Sequence, residues 1–159
     1  MDADIEFDLA AQRHEVGDLV GAIDGYTRAI AESPWFARAY FCRAIAWLEL
    51  GLPARAIADL DRVLRVNPRD AEAHHMRGLA RRASGHLDAA VADATQAVRL
   101  RPIYPDAYLA RATARLERGE LEAAFGDAAL ALETAGPAWA GAARARTVVA
   151  ELRAILVSR

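Results

Sequence analysis

Residues 37–70 read ARAYFCRAIAWLELGLPARAIADLDRVLRVNPRD, and residues 71–104 follow the same layout as AEAHHMRGLARRASGHLDAAVADATQAVRLRPIY. Outward from this stretch, the same marks return in both directions at a step of 34 residues. The marks are a glycine (Gly17, Gly51, Gly85, Gly119), an alanine (Ala22, Ala56, Ala90, Ala124) and a proline (Pro34, Pro68, Pro102, then Pro137, displaced by one residue). Several series with one common period indicate tandem repeats of a single structural unit.

Each repeat is predicted to be a pair of antiparallel helices. The glycine supplies the left-handed backbone that ends the first helix, and the proline ends the second because it cannot continue the hydrogen-bond ladder. No alternation of Val, Ile and Tyr between these marks indicates a strand. The sequence therefore predicts a single all-α domain over residues 1–159, with helix pairs at residues 3–36, 37–70, 71–104 and 105–138.

One further helix is predicted after the repeats, at about residues 138–157. Val148, Leu152 and Leu156 fall on one apolar side of this helix, and arginines occupy the other sides. A repeat array needs a terminal cap, because its last helix pair otherwise leaves a stacking face uncovered. We therefore expect this helix to be the cap of the array.

The layout resembles that of the tetratricopeptide repeat family over residues 3–138. Counting places from the first residue of each repeat, that family has a small residue at place 8, alanine at places 20 and 27, and proline at place 32. Places 8 and 27 here are Ala10, Ala44, Gly78, Ala112 and Ala29, Val63, Ala97, Ala131. Place 24, aromatic or aliphatic in the family, departs from the pattern at Ala94 and Ala128. The resemblance implies a helical solenoid whose first helices line a concave groove.

A charged pair is predicted inside repeats two to four. Place 7, usually leucine in the family, is arginine in these repeats, and place 23 is aspartate. The residues are Arg43, Arg77 and Arg111, with Asp59, Asp93 and Asp127. Both places lie eight residues from the glycine turn, so they stand at similar heights on antiparallel helices. We favour an Arg–Asp pair within each repeat that orients the two helices. The alternative is an arginine row that recruits phosphate or an acidic peptide.

A peptide-binding groove is predicted on the first helices of repeats two to four. A solvated face should be polar, but the face opposite the small packing residues is largely apolar and has a charged margin. The predicted groove residues are Arg38, Phe41, Cys42, Ile45, Leu48, His75, Met76, Leu79, Arg82, Leu109 and Leu116. We expect them to bind an apolar or amphipathic peptide segment. The alternative is that the array curls tightly, or its last helix folds back, and these residues become core.

The carboxylate clamp of the family, which holds the C-terminal tail of heat-shock chaperones, is not expected here. When the clamp is aligned from the first repeat, the places of its lysine, asparagine and arginine residues hold Phe7, Ala11, Cys42, Glu72 and Met76. One repeat later they read Phe41, Ile45, Met76, Asp106 and Ala110. Neither frame supplies the clamp residues, so chaperone-tail binding by that mechanism is disfavoured.

Catalysis, a cofactor and a metal are not expected. All twenty basic residues are arginine, so lysine chemistry is excluded, and Cys42 is the only cysteine. The four histidines lack metal-ligand spacing, and the isolated glycines form no phosphate loop. The net charge of −2 does not favour nucleic acid. These features predict a non-catalytic interaction module, an adaptor or chaperone-like protein with a protein or peptide partner.

The sequence also predicts the cellular location of the protein, its source and one way in which copies of it could associate. The acidic N-terminus is unlike a signal peptide, and no apolar run is long enough to cross a bilayer, so we expect a cytoplasmic protein without membrane contact. The arginine and alanine content favours a bacterial source. Residues 1–36 carry eight acids against two arginines, and residues 139–159 carry four arginines against one acid. Copies that associate end to end, as a structural scaffold, are therefore the alternative to the adaptor.

Overall fold

The computed structural model describes residues 2–158, and these residues form nine α-helices and no strand. The helices are α1 (Ala3–Glu15), α2 (Leu19–Glu32), α3 (Ala37–Glu49), α4 (Pro53–Val66), α5 (Ala71–Ala83), α6 (Leu87–Leu100), α7 (Pro105–Glu117), α8 (Leu121–Thr134) and α9 (Ala142–Val157). Each helix packs on the next along the chain, and α5 also contacts α3 and α7. The predicted helix pairs and the additional terminal helix are confirmed.

Glycine and proline end the helices as their chemistry dictates. The repeating glycines have φ between 71° and 82°, and they are the only described residues with positive φ. At Gly51 this conformation lets the amide of Leu52 return to the carbonyl of Trp47 at 2.8 Å, which closes the helix end. Helices α2 and α4 stop two residues before Pro34 and Pro68. The turns therefore fix the 34-residue period of the array.

The core between the helices is built largely from alanine. Ala44, Ala56, Ala73 and Ala80 are fully buried in one cluster, around the larger side chain of Leu60. Small side chains allow the helix axes to approach closely. The core is therefore filled by many small side chains and few large ones. The small residues at place 8 are thus explained by packing.

The predicted Arg–Asp pairs are present in all three repeats. Arg43 donates from Nε and Nη2 to the two carboxylate oxygens of Asp59 at 2.8 and 2.7 Å. Arg77 and Asp93 repeat this geometry at 2.9 and 2.8 Å. Arg111 and its aspartate do so at 2.8 and 2.6 Å. The three aspartates are buried, so these bidentate ion pairs orient the helices inside the array. The arginines therefore do not form a free row for phosphate.

Each of these arginines also reaches the preceding repeat, which the sequence did not predict. Nη1 of Arg43 donates to the hydroxyl of Thr27 at 2.9 Å. Nη1 of Arg77 donates to the carboxylate of Asp61 at 2.7 Å. Burial alone would lower the pKa of Arg77, but hydrogen bonds to Asp93 and Asp61 raise it above the usual value. One guanidinium thus joins three helices, and we call this arrangement the clasp.

The terminal helix starts later than the 138–157 boundary predicted from the sequence. Residues 137–141 form turns before α9, and the amide of Trp139 donates to the carbonyl of Gly136 at 3.1 Å. The Trp139 indole donates to Asp106 at 2.8 Å, which holds this segment against α7. Val148 and Leu152 then pack on the last pair, as expected of a cap.

Candidate peptide-binding groove

The predicted groove residues lie on three helices that follow one another along the same side of the array. Helix α3 carries five of them, α5 carries four and α7 carries two. Helix α5 contacts both α3 and α7, so the three helices form one continuous surface. We call this surface, defined by the eleven predicted residues, the groove.

Most groove residues are half-buried. This holds for Phe41, Cys42, Ile45, Leu48, Met76, Leu79, Leu116 and Arg82, whereas Arg38 is exposed and His75 and Leu109 are buried. Phe41, Leu48 and Met76 also pack against the core cluster around Leu60. Ile45 and Leu79 belong to no core cluster and keep part of their apolar surface in solvent. The face is therefore apolar and partly open.

A small cavity of about 160 Å³ lies in the half of the groove formed by α5 and α7. Its lining residues are His75, Leu79, Arg82, Asp106, Leu109, Ala110, Thr113 and Arg144. The last of these belongs to α9, so the terminal helix contributes one side chain to the lining of this cavity. The sequence did not predict this contribution, because α9 lies outside the 34-residue register.

The polar atoms of this cavity are only partly satisfied. His75 is buried, its Nδ1 has no hydrogen-bond partner, and its ring lies 5.1 Å from the Tyr104 ring. Burial lowers the pKa of His75, so the ring is neutral near neutral pH. Arg82 donates to Glu117 at 2.6 Å, but its buried Nε has no acceptor. Buried polar atoms without partners are uncommon in folded proteins, and a bound molecule is one way to satisfy them.

The other half of the groove contains a second cavity of about 240 Å³. Arg38, Phe41 and Glu72 line it, and the Arg38 guanidinium lies over the Phe7 ring at 4.6 Å from its centre. Cys42 is half-buried nearby, and burial raises the pKa of its thiol, which lowers its reactivity as a nucleophile. This end of the groove thus offers an aromatic surface flanked by one cation and by the two carboxylates of Asp70 and Glu72.

A larger apolar cavity of about 410 Å³ lies outside the groove. Trp35, Tyr40 and Val66 line it together with Arg62 and Arg65, between the end of α4 and the loop before α3. It involves two neighbouring repeats, whereas the groove extends over three first helices and the terminal helix. We therefore place the candidate site in the groove, despite the greater volume of this cavity.

Within residues 2–158, no three His, Cys, Asp or Glu side chains are grouped in a way that would hold a metal ion. No helix in that range has the length and apolar character that crossing a membrane requires.

Comparison with known proteins establishes the family. The tetratricopeptide repeat family model matches residues 15–71, 43–82 and 75–143, which is more than half of the chain. The chain therefore belongs to the tetratricopeptide repeat family. No curated protein matches it.

Solved structures of similar architecture support this assignment. MamA is 23% identical over 94% of this chain and 80% of its own, with a TM-score of 0.85. TTC0263, a thermophilic TPR protein of Thermus thermophilus, is 27% identical over 94% of this chain and 82% of its own, at 0.79. The first TPR domain of Spaghetti (RPAP3), bound to the HSP90 peptide SRMEEVD, is 24% identical to this chain. The match covers 74% of this chain and 94% of that domain, with a TM-score of 0.72. The family and these folds are those of protein interaction modules.

Proposed function

We propose that this protein is a non-catalytic cytoplasmic adaptor, chaperone-like in character, that binds an apolar or amphipathic peptide segment of a partner protein in the groove. The observation that carries the proposal is the partly exposed apolar surface on α3, α5 and α7, which the stacking of the repeats leaves open. Apolar surface of this kind typically marks an interaction site.

The chemistry of the groove indicates what kind of segment fits. Ile45, Leu79 and Met76 suit aliphatic side chains, and the thioether of Met76 adapts to different shapes. The exposed guanidinium of Arg38 can donate to a polar group of the same segment. An amphipathic helix or an apolar extended peptide presents this combination of groups.

The HSP90 peptide of the RPAP3 domain is not the ligand that we propose. The clamp places of the family carry Phe7, Cys42 and Met76 here in place of lysine, asparagine and arginine. These side chains supply no cation for a terminal carboxylate. The proposed ligand is therefore an apolar or amphipathic segment and not an acidic tail.

A peptide-display selection with the wild-type protein tests the proposal. We expect enrichment of peptides rich in aliphatic or aromatic residues, and then binding of the synthesised peptides in solution. The variant Ile45→Ser/Leu79→Ser should weaken that binding at least about tenfold, a loss of about 1.4 kcal/mol. Its melting temperature should change little, since neither side chain belongs to a core cluster.

The matched control is Val66→Ser/Ile103→Ser, which removes two exposed aliphatic side chains outside the groove. We expect this variant to bind like the wild type. A selection without enriched peptides would contradict the proposal. So would enriched peptides whose affinity falls equally in both double variants.

A further inference from the structure

The outward side of α1 exposes apolar residues at places that are buried or half-buried in the later repeats. Ile5, at place 3, is 51% exposed, whereas the alanines at that place in later repeats, Ala39, Ala73 and Ala107, are fully buried. Leu9, at place 7, is 44% exposed. We call Ile5, Leu9 and Gln12 the head face. It corresponds to the side of α3, α5 and α7 that packs on the preceding repeat.

The opposite end of the array has its own uncovered side, on α9. Ala145, Val148 and Leu152 are buried against the last pair, and the residues on the other side of this helix are exposed. We call Ala150, Ala154 and Val157 the tail face. Val157 is 82% exposed. The cap thus leaves an apolar strip at its own far side.

The two end faces carry opposite charges. Asp4 and Asp8 border the head face, and Arg146 and Arg153 border the tail face. None of these four side chains forms an ion pair within residues 2–158, although the interior of the array pairs its charges extensively. Unpaired charges of opposite sign at the two ends favour contact between the ends of different copies.

We propose that the head face binds the tail face of a second copy of this chain. The large aliphatic side chains of Ile5 and Leu9 then pack on the small residues Ala150 and Ala154, and Asp8 lies near Arg153. The two faces are different surfaces, so the contact is heterologous and each junction leaves one free end on either side. The copies consequently form open chains that continue the helical stack, and the groove of each copy stays free.

Sedimentation velocity over a concentration series tests this inference. At low salt the wild type should form dimers, trimers and longer chains as its concentration rises. High salt should shorten them, because it screens the charges at the junction. A wild type that remains monomeric throughout the low-salt series would overturn the inference.

Two blocking variants identify the faces. Leu9→Arg blocks the head face and Ala154→Arg blocks the tail face; both positions are exposed, so each variant should fold. Each alone should be monomeric. Their equimolar mixture should form dimers and nothing longer, because only one intact head and one intact tail can meet.

Val66→Arg, an equally exposed change in the middle of the array, is the control and should assemble like the wild type. Assembly of either blocked variant alone, or a mixture that stays monomeric, would contradict the head-to-tail contact. Circular dichroism of each variant confirms folding before these comparisons.

Discussion

The first repeat and the three later repeats share one layout but are held together differently. In repeats two to four, an arginine at place 7 clasps a buried aspartate of its own repeat. The first repeat has Leu9 and Gly25 at these two places. Its buried acid is Glu6 instead, which accepts from Arg28 at 2.8 Å. The clasp reaches back to a preceding repeat, and residues 2–158 hold no repeat before the first.

This difference shows that a residue of a repeat serves its neighbours as much as its own helix pair. Arg43 and Arg77 each link two repeats, whereas Leu9 holds the same place on an exposed side of α1. Stability in such arrays is a sum of repeat terms and interface terms, so interface residues carry much of it.

Removal of a buried carboxylate that accepts hydrogen bonds from two arginines should lower the free energy of unfolding the most. Asp93 accepts from Arg77 and also from Arg81, the latter at 2.8 Å. Asp93→Ala leaves both cations without this partner in a largely buried site, so we expect a loss of about 3–5 kcal/mol in the free energy of unfolding. Urea titration measures it. Asp24→Ala, which removes an exposed acid of the first repeat, is the control and should have little effect.

A loss below about 1 kcal/mol for Asp93→Ala, which is typical of surface ion pairs, would show that the clasp contributes little to the stability of the array.

The close approach of α1 and α2 gives the next effect. A Cβ on Gly25 would lie 2.7 Å from the Cβ of Ala10, so Gly25→Ala should cost about 1–3 kcal/mol through overpacking. Gly126→Ala in α8 meets no atom within 4 Å and should instead stabilise the protein by about 1 kcal/mol. Thermal unfolding of the two variants should therefore shift in opposite directions. Stabilisation by both would mean that α1 and α2 have room to separate.

The link between repeats one and two should contribute less. Thr27→Val removes the acceptor of Arg43 at 2.9 Å, and Thr95→Val removes that of Arg111 at 3.3 Å. We expect a cost of about 0.5–1.5 kcal/mol for the first and less for the second, since the longer bond is weaker. Chemical denaturation of both variants measures this order. The reverse order would contradict the clasp as the link.

The smallest effect concerns pH. Burial lowers the pKa of His75 in the folded protein below its usual value of 6.5. Its neutral form therefore stabilises the fold above pH 6.5, and this contribution is lost as the pH falls through 6.5, because the unfolded chain takes up the proton first. His75→Gln should flatten that part of the stability profile. His86→Gln, at an exposed site, is the control, and equal profiles for both variants would contradict the argument.

The sequence predicts much of this molecule, because the repeat multiplies each local signal. The glycine turns, the helix pairs and the pairing of Arg43 with Asp59 follow from spacing alone. The bond from Arg43 to Thr27 does not, since it depends on how neighbouring repeats rotate against each other. The contribution of Arg144 to the groove is also unpredictable, because Trp139 and its turn shift α9 out of register.

The exposure of the groove residues could be predicted from the sequence only in part. Periodicity places Ile45 and Leu79 opposite the small packing residues, and the structure shows them half-buried on that face. Periodicity cannot say that His75 and Leu109 are buried, because their exposure depends on the packing around Tyr104 and α9.

Backbone amide NMR during titration with a display-selected peptide tests the groove most directly. We expect the chemical shift changes to concentrate on α3, α5 and α7, and to include the amide of Arg144 in α9. Saturable changes confined to the cavity around Trp35 and Val66, with the groove amides unmoved, would contradict this expectation.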